Sequence, residues 1–403
     1  MFDHIPAYPG DPILSLFQAF QQDAHPRKVN LSIGLYYDDA GGIPVLDSTR
    51  IAAERLREAG APHTYLPMEG HAAYRQGVQR LVFGADCAAL AQGRIATLQT
   101  LGGSGAIRLG AAFIKRYFPD SAIWISDPSW DNHRVILSAA GLDVHTYPYY
   151  DAQTNGLRVD AMLATLDALP ARSVVLLQPC CHNPTGLDLG RDAWRALIDV
   201  LARRGLIPFL DMAYQGFGDG LDDDAWAVRA MTDAGLPVIV GNSFSKNFSL
   251  YGERVGGLSI VCASAAEAAT VLSQMQAGVR RTRSRPPLCG ARPVATGLND
   301  DGVRAGWEGE VAAVRARIKR MRGALKTRLD AQLPGRAFDA LVTQRGMFSY
   351  TGIGAADVDR LRASHGVYLL RSGRMCIAGL SDANLDHVAH AIADVLGAAR
   401  QAA

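Results

Sequence analysis

A lysine with small hydroxyl neighbours, Lys246, is the residue of this sequence best suited to covalent chemistry. It lies in the segment Gly241-Asn-Ser-Phe-Ser-Lys-Asn-Phe-Ser-Leu-Tyr-Gly-Glu-Arg254, directly after the apolar run Leu236-Pro-Val-Ile-Val240. A lysine amine can form a Schiff base with an aldehyde, while hydroxyl donors and a guanidinium such as that of Arg254 can hold a phosphate. The pattern therefore suits pyridoxal phosphate, although a surface lysine in a Ser/Asn-rich loop would look similar.

Three polar residues that follow apolar runs can serve the ring of such a cofactor. Asp211 ends the run Leu206-Ile-Pro-Phe-Leu210, and a carboxylate there can keep a pyridine nitrogen protonated. Tyr214 and Asn183 can donate hydrogen bonds to the phenolic oxygen of the ring. The alternatives are a helix cap with a core tyrosine, and a simple turn at Asn183-Pro-Thr-Gly186.

Two further segments offer cofactor contacts. In Leu101-Gly-Gly-Ser-Gly-Ala106, Gly103 and Ser104 lie where a glycine-rich turn opens an amphipathic helix, and the N–H groups of a helix start bind phosphate. Trp130 can stack on a ring or contact a substrate. A turn that serves packing and a half-buried core tryptophan are the respective alternatives.

Arginines supply candidate carboxylate sites. Arg374, in Ser372-Gly-Arg-Met-Cys, can bind an α-carboxylate through two parallel hydrogen bonds, which lysine cannot reproduce. Arg280 opens the run Arg280-Arg-Thr-Arg-Ser-Arg285. The chain has 41 basic and 39 acidic residues and a net charge of +2, which argues against nucleic acid as the partner of this run.

The elements that must position these residues alternate along the chain. Between about positions 95 and 261, short β-rich runs alternate with amphipathic stretches, which is typical of an α/β domain with a mostly parallel sheet. Buried strands are predicted at positions 123–126, 173–177, 206–210, 237–240 and 256–261. Since ligands gather at the carboxyl ends of parallel strands, we expect Asn183, Asp211 and Lys246 to lie at one edge of the sheet.

A smaller second domain is expected after Asn299. A charged helix pattern covers positions 302–332, and a further sheet should include positions 346–350, 367–370 and 374–377, closed by a helix from about Asp386. We expect residues 1–43 to form an N-terminal arm with part of the small domain, residues 44–313 the large domain, and residues 314–403 the small C-terminal domain.

The composition excludes several classes of protein. No run is apolar enough to cross a bilayer, and Met1-Phe-Asp-His-Ile-Pro carries an acid where a signal peptide needs a basic flank. We therefore expect a cytoplasmic protein with no membrane partner. The six cysteines lack Cys-x-x-Cys spacing and are interpreted as reduced packing residues, and no metal site is expected.

Taken in order, the motifs resemble those of the class I aminotransferases of the aspartate and aromatic type, which use pyridoxal phosphate. The similarity covers essentially the whole chain and is greatest to the bacterial aromatic-amino-acid (tyrosine) aminotransferases. The motifs that carry it are Asn30-Leu-Ser-Ile-Gly34-Leu-Tyr-Tyr, Tyr65-Leu-Pro-Met-Glu-Gly70, Thr100-Leu-Gly-Gly-Ser-Gly105, Cys181-His-Asn-Pro-Thr-Gly186, Asp211-Met-Ala-Tyr-Gln-Gly-Phe217, Ser243-Phe-Ser-Lys246, Met347-Phe-Ser-Tyr350 and Ser372-Gly-Arg374.

The resemblance implies a fold and a set of roles. The fold is that of the type I pyridoxal-phosphate-dependent transferases, with a mostly parallel seven-stranded sheet and a smaller α/β domain. Lys246 would be the Schiff-base lysine, Asp211 the partner of the ring nitrogen, Asn183 and Tyr214 the phenolic-oxygen donors, and Trp130 the stacked ring. The phosphate would be held by Gly103, Ser104, Ser243, Ser245 and Arg254.

Other implied roles concern the substrate and a second subunit. Family members are homodimers that share residues between active sites, so Tyr65 would reach the phosphate, and Arg280 the substrate side chain, of the other subunit. Gly34 would lie over the substrate, and Arg374 would bind its α-carboxylate. The sequence departs from the family pattern at Gln178, Arg283, Arg285 and Arg371.

The expected reaction moves the amino group of tyrosine or phenylalanine, and potentially aspartate, to 2-oxoglutarate by a ping-pong mechanism, so the partners are amino acids and 2-oxo acids. An aspartate aminotransferase and a pyridoxal-phosphate-dependent lyase or decarboxylase are the enzymatic alternatives. A non-catalytic regulator that binds the cofactor would carry a DNA-binding helical domain, which we do not expect in this chain.

Overall fold

The computed structural model describes residues 1–8 and 10–401 of the chain. Its α-helices are α1 Pro12–Gln22, α2 Asp47–Glu58, α3 Ala72–Phe83, α4 Ala88–Ala91, α5 Gly102–Tyr117, α6 Asp131–Ala139, α7 Val159–Asp167, α8 Arg191–Arg204, α9 Leu221–Asp233, α10 Ala265–Thr282, α11 Ala291–Asn299, α12 Asp301–Gln332, α13 Ala340–Thr343, α14 Ala355–His365 and α15 Leu385–Gln401. Its strands are β1 Val29–Asn30, β2 Ile95–Leu101, β3 Ile123–Asp127, β4 Val144–Pro148, β5 Tyr150–Asp151, β6 Gly156–Leu157, β7 Val174–Leu177, β8 Ile207–Met212, β9 Ile239–Ser243, β10 Val255–Val261, β11 Phe348–Tyr350, β12 Val367–Tyr368 and β13 Arg374–Cys376.

The chain divides into two compact units, and the second division falls within α12. The smaller unit comprises Met1–Ile43 and Ile318–Ala403, and the larger comprises Pro44–Arg317. The domain limits expected from the sequence, after residues 43 and 313, stay a prediction.

A seven-stranded sheet forms the centre of the larger unit. Its strand order is β2-β10-β9-β8-β7-β3-β4, in which β10 is antiparallel to both neighbours and the remaining pairs are parallel. The central strands β7, β8 and β9 are buried along their whole length. This arrangement confirms the predicted α/β fold with a mostly parallel seven-stranded sheet, since helices must cover both faces of such strands.

Helix α5 packs closely on this sheet because one of its residues is glycine. A Cβ atom on Gly110 would lie 2.5 Å from Cζ of Phe209, whose side chain is fully buried in β8. The apolar face of the helix adds Ile107 and Ile114 to the same core. Each large side chain buried in this way contributes about 1.5–3 kcal/mol. The packing fixes where α5 begins, at the edge of the sheet.

The strands of the smaller unit differ from expectation in one respect. The sequence predicted that segments near positions 348, 367 and 375 share one sheet. In the described residues β11 instead pairs with β13, antiparallel, whereas β12 pairs with β1, parallel. The prediction of a single sheet was wrong because β12 finds its partner in the N-terminal segment, through Val29 and Asn30, which carries no strand pattern long enough to be recognised.

Among the described residues, no helix combines the length and the apolar character that crossing a bilayer requires.

Candidate active site

The candidate cofactor residues of the larger unit follow the carboxyl ends of neighbouring strands. Asp211 is the penultimate residue of β8 and is followed by Met212, at which the strand ends. Asn183 follows β7, Lys246 follows β9, and Trp130 follows β3 as the residue before α6. Parallel strands place these ends at one edge of the sheet, where ligand sites of such folds form.

Five of the predicted phosphate residues form one cluster, which we call the anion cradle: Gly103, Ser104, Ser243, Ser245 and Arg254. Arg254 donates from Nη2 to the Ser104 hydroxyl at 3.2 Å and from Nη1 to the Ser245 hydroxyl at 3.3 Å. Ser243 donates to Ser245 at 3.2 Å. Ser104 lies in the first turn of α5, where backbone N–H groups lack intrahelical acceptors. The cradle therefore gathers a cation, hydroxyls and a helix start, a donor set that suits a phosphate.

A glycine makes room for the guanidinium in this cradle. Gly102 has φ +66°, a left-handed conformation that glycine adopts without strain, and a Cβ atom there would lie 2.7 Å from Nη2 of Arg254. A side chain at this position would therefore displace the guanidinium from the start of α5.

A buried carboxylate lies next to the cradle. A Cβ atom on Gly103 would lie 3.2 Å from Cβ of Ser243 and 4.0 Å from Oδ1 of Asp211. Asp211 is only 7% exposed, and its Oδ2 is 2.9 Å from Nε2 of His133. A buried carboxylate is costly to desolvate, so a cationic ring N–H facing it would be strongly favoured.

His133 is a site residue that sequence reasoning missed, although it lies in the same segment as Trp130. Its Nδ1 is 2.9 Å from the Ser129 hydroxyl, and its ring is 5.1 Å from that of Trp130 in an edge-to-face arrangement. An ionised carboxylate only accepts hydrogen bonds, so Nε2 carries the proton that it shares with Asp211. In the sequence, His133 can be recognised only as a polar residue in the first turn of a helix that follows β3.

The loop that carries Asn183 is held by a residue noted only as a departure from the family pattern. Gln178 uses both ends of its amide on one residue: Nε2 donates to the Asn183 carbonyl at 2.9 Å, and Oε1 accepts from the Asn183 N–H at 2.9 Å. Asn183 in turn donates from Nδ2 to the Tyr214 hydroxyl at 3.5 Å. The two predicted phenolic-oxygen donors are therefore brought together.

The histidine beside Asn183 is fully enclosed and neutral. His182 bonds to the hydroxyls of Ser126, at 2.9 Å, and Thr185, at 2.8 Å, and its ring stacks on Tyr149. Burial, together with repulsion from His133, lowers the pKa of His182 to about 3. It acts as a hydrogen-bonded spacer under the Asn183 loop rather than as a cation.

The amine of Lys246 lies over an aromatic ring. Its Nζ is 4.8 Å from the centre of the Tyr251 ring. The neighbouring Asn247 donates to the Gln215 carbonyl at 3.1 Å, while the carbonyl of Asn247 accepts from Trp307 at 2.7 Å. These hydrogen bonds fix the backbone next to Lys246.

Tyr65 and Arg280, which were predicted to act across a dimer, also belong to the larger unit. Tyr65 is 88% exposed, and the guanidinium of Arg285 lies over its ring at 5.5 Å. Arg280 donates to the Ser284 hydroxyl at 2.5 Å. Arg283, another departure from the family pattern, donates to the Gln99 carbonyl at 3.0 Å, and burial lowers its pKa.

The remaining predicted substrate residues belong to the smaller unit. Arg374 is only 3% exposed, donates to the Ser32 carbonyl at 2.7 Å, and lies over the Phe348 ring at 4.3 Å. The segment of Gly34 is thereby close to Arg374 within this unit. Arg371, by contrast, is exposed and pairs with Asp359 at 3.0 Å.

Comparisons with known proteins agree with this chemistry. A sequence model of the family described as aminotransferase class I and II matches residues 26–392. The aromatic-amino-acid aminotransferase of Escherichia coli (strain K12) is 56% identical over 98% of this chain and 100% of that protein. An aspartate aminotransferase of Pseudomonas aeruginosa is 50% identical, also over 98% of this chain and 100% of that protein.

Solved structures are equally similar. An aromatic amino acid aminotransferase from Burkholderia cenocepacia J2315 has a TM-score of 0.96 at 58% identity, with 99% of each chain covered. The aromatic-amino-acid aminotransferase from Burkholderia pseudomallei, covalently bound to pyridoxal phosphate, has a TM-score of 0.97 at 48% identity over 98% of this chain and 99% of that chain. The anion cradle and the buried Asp211 fit the two ends of that cofactor. The chain therefore belongs to the class I and II aminotransferases, and its cofactor is pyridoxal phosphate.

Proposed function

We propose that this protein is an aromatic-amino-acid aminotransferase that moves the amino group of tyrosine or phenylalanine to 2-oxoglutarate, with some activity on aspartate. The observation that carries the proposal is the anion cradle with the buried carboxylate of Asp211 beside it, which is bonded to His133, while Lys246 follows the adjoining strand. The relatives named for aromatic substrates at 56% and 58% identity support the substrate class.

Each residue has a defined task in this proposal. Bound pyridoxal phosphate supplies an aldehyde that takes up the amino group and a ring that accepts the electrons released at the substrate α-carbon. Lys246 is the amine that attaches the cofactor, and its Nζ afterwards accepts the proton from the substrate α-carbon. Asp211 keeps a proton on the ring nitrogen, and His133 orients that carboxylate through its Nε2 hydrogen bond.

The phosphate and the phenolic oxygen are the other two anchors. Arg254 and the hydroxyls of Ser104, Ser243 and Ser245 hold the phosphate, which is a dianion and needs several donors. Asn183 and Tyr214 donate to the phenolic oxygen, while Trp130 covers the ring. Residues at these three points would limit the rotation of the bound cofactor.

We further infer that the protein is a homodimer with shared active sites. The support is the exposure of Tyr65, whose ring is 88% accessible in a single chain, and the family resemblance of its motif. In the dimer Tyr65 contacts the phosphate of the other subunit, and Arg280 contacts the substrate side chain there. In the smaller unit, Arg374 is the residue that binds the α-carboxylate of the substrate, and Gly34 is a further substrate contact. The cytoplasmic location expected from the sequence stays a prediction.

A substrate panel with the purified holoenzyme tests the proposed reaction. With 2-oxoglutarate as acceptor, we expect kcat/KM for tyrosine and phenylalanine to exceed that for aspartate, measured by formation of each 2-oxo acid. A preference for aspartate would assign the chain to the aspartate aminotransferases instead. Consumption of the amino acid without 2-oxoglutarate would indicate a lyase or decarboxylase.

A further inference from the structure

Two adjacent cysteines and a carboxylate form a buried cluster that the proposed reaction does not use. The ligand atoms of Cys180, Cys181 and Asp224 all lie within 4.8 Å of one another, and all three side chains are buried. Of the six cysteines, all of which are thiols, these are the two that are adjacent in the sequence. The cluster therefore combines two soft ligands and one hard ligand in an enclosed space.

The backbone around the thiols is held in an unusual conformation. Neighbouring residues of an extended chain point to opposite sides, but Cys181 has φ +52°, and its sulfur lies within 4.8 Å of that of Cys180. The carboxylate of Asp188 fixes this turn, because its two oxygens accept from the N–H groups of Cys181, at 2.7 Å, and His182, at 2.8 Å. The proximity of the thiols is thus built into the loop.

Three backbone hydrogen bonds fix the carboxylate of Asp224. Its Oδ2 accepts from the N–H groups of Gly216, at 2.8 Å, and Gly218, at 3.0 Å, and its Oδ1 accepts from that of Asp219 at 2.9 Å. An ionised carboxylate has about four acceptor positions, so three backbone bonds leave about one for a further partner. The Asp224 carboxylate is therefore preorganised and retains capacity for about one further partner.

We propose that Cys180, Cys181 and Asp224 form a binding site for a thiophilic divalent cation of the zinc and cadmium class. Two thiolates and a carboxylate, with water as fourth ligand, give the tetrahedral set that such ions adopt, whereas Mg²⁺ and Ca²⁺ require oxygen ligands. Two S–H bonds break, two metal–sulfur bonds form and two protons leave to solvent, with no change of oxidation state. At metal–sulfur distances of about 2.3 Å, tetrahedral sulfur ligands lie about 3.8 Å apart, so atoms as far apart as 4.8 Å need to approach by about 1 Å.

Occupancy of this site affects the candidate active site. The Cys181 thiol lies 4.0 Å from the Tyr214 carbonyl oxygen and donates to it. Metal binding removes that proton. It also uses the carboxylate of Asp224 as a ligand, and this carboxylate accepts a hydrogen bond from Gly216, two residues after Tyr214. On the other side Cys181 is two residues from Asn183. The bound ion therefore shifts both phenolic-oxygen donors, and we expect it to inhibit turnover reversibly.

The test uses holoenzyme that carries Cys87→Ser and Cys289→Ser, which removes the half-buried and the exposed thiol outside the cluster. Titration with cadmium chloride should show one ion bound per chain with release of about two protons, and a thiolate-to-metal absorption band in the ultraviolet. Added Cys180→Ser or Cys181→Ser should weaken binding by at least about tenfold and remove one proton from the count. Cys262→Ser, a buried thiol elsewhere, should change neither quantity.

Two results would overturn the site. One is an absence of cadmium binding in the Cys87→Ser/Cys289→Ser protein, and the other is an unchanged affinity and proton count after Cys180→Ser. X-ray absorption at the cadmium edge gives a measurement that does not depend on how the cluster variants fold. Two sulfur neighbours are expected in the bound ion of the Cys87→Ser/Cys289→Ser protein, and a shell of oxygen and nitrogen alone contradicts the site.

Discussion

Nε2 of His133 lies 2.9 Å from Oδ2 of Asp211, and the two side chains are 0% and 7% exposed. Another histidine–carboxylate pair of the same unit, His145 with Asp143, has nearly the same distance, 2.8 Å, but side chains that are 44% and 77% exposed. The first pair is enclosed and the second is open to water. Water can replace the hydrogen bond between His145 and Asp143, whereas the enclosed bond from His133 orients the carboxylate of Asp211.

Replacement of His133 by phenylalanine should weaken cofactor binding. The ring volume is kept, but the buried Asp211 carboxylate loses its donor, and a hydrogen bond to a charged group contributes about 1.5–3 kcal/mol. We expect the dissociation constant of pyridoxal phosphate to rise by roughly 10- to 100-fold. Spectroscopic titration of the apoenzyme measures it.

His145→Phe is the matched control for this variant. Its pair with Asp143 is exposed, and such pairs contribute about 0–1 kcal/mol. Its cofactor affinity should stay close to that of the wild type. Equal effects of the two substitutions, or no effect of His133→Phe, would mean that His133 does not orient Asp211.

The sequence alone predicts those features of the fold and of the site that depend on neighbouring residues in the chain. Asp211 and Lys246 could be placed at strand ends because the apolar runs before them have strand length and composition. The bond between His133 and Asp211 joins positions 78 residues apart, and no local pattern encodes it. The hydrogen bonds of Gln178 to Asn183 depend on the loop conformation, which tertiary packing determines.

Strand pairing in the smaller unit shows the same limit. The segments around Phe348 and Val367 were recognised as strands, but their partners were not, and the partner of Val367 lies in the N-terminal segment. Val29 pairs with Val367, and Phe348 pairs with Cys376. Short strands carry too few residues for their side-chain pattern to specify a partner.

Removal of the Arg374 guanidinium should impair recognition of all amino-acid substrates. Under the proposed role, Arg374→Ala leaves the substrate α-carboxylate without its partner, at a cost of about 2–5 kcal/mol in kcat/KM. The loss should be similar for tyrosine, phenylalanine and aspartate, because each carries the same α-carboxylate. Steady-state kinetics with the three donors measures it.

Arg371→Ala supplies the comparison, since Arg371 is nearby in sequence but 72% exposed and paired with Asp359. Its removal should change kcat/KM by less than about 1 kcal/mol. An Arg374→Ala enzyme with wild-type KM for every donor would remove Arg374 from the carboxylate site.

The shared active sites of the proposed dimer can be tested by mixing two defective variants. Lys246→Ala should abolish turnover, and Arg280→Ala should lose activity on aspartate, which carries a second carboxylate. If Arg280 acts on the partner's site, a hybrid dimer contains one site with both residues intact. Random exchange of subunits then restores about a quarter of the wild-type sites.

Aspartate turnover of the mixture, after subunit exchange by mild denaturation and renaturation, measures this restoration. Separately treated variants serve as controls. If Arg280 acted within its own subunit, no hybrid would contain an intact site, and activity would stay at the level of the controls. Recovery of activity thus distinguishes the two arrangements.

The enclosed His182 should make the protein sensitive to acid through a single group. Its pKa is lowered from 6.5 to about 3 by burial and by repulsion from His133, so the folded protein keeps it neutral while the unfolded chain takes up a proton below pH 6.5. Its stabilising contribution is therefore complete above that pH and is lost as the pH falls from 6.5 towards 3.

His182→Gln, which keeps polar contacts but cannot titrate, should reduce the slope of unfolding free energy against pH by about 1.4 kcal/mol per pH unit in this window. Urea unfolding of the apoprotein at a series of pH values gives the slope, and His145→Gln on the exposed face of β4 is the control. Parallel curves for wild type and His182→Gln would show that another group takes up the proton.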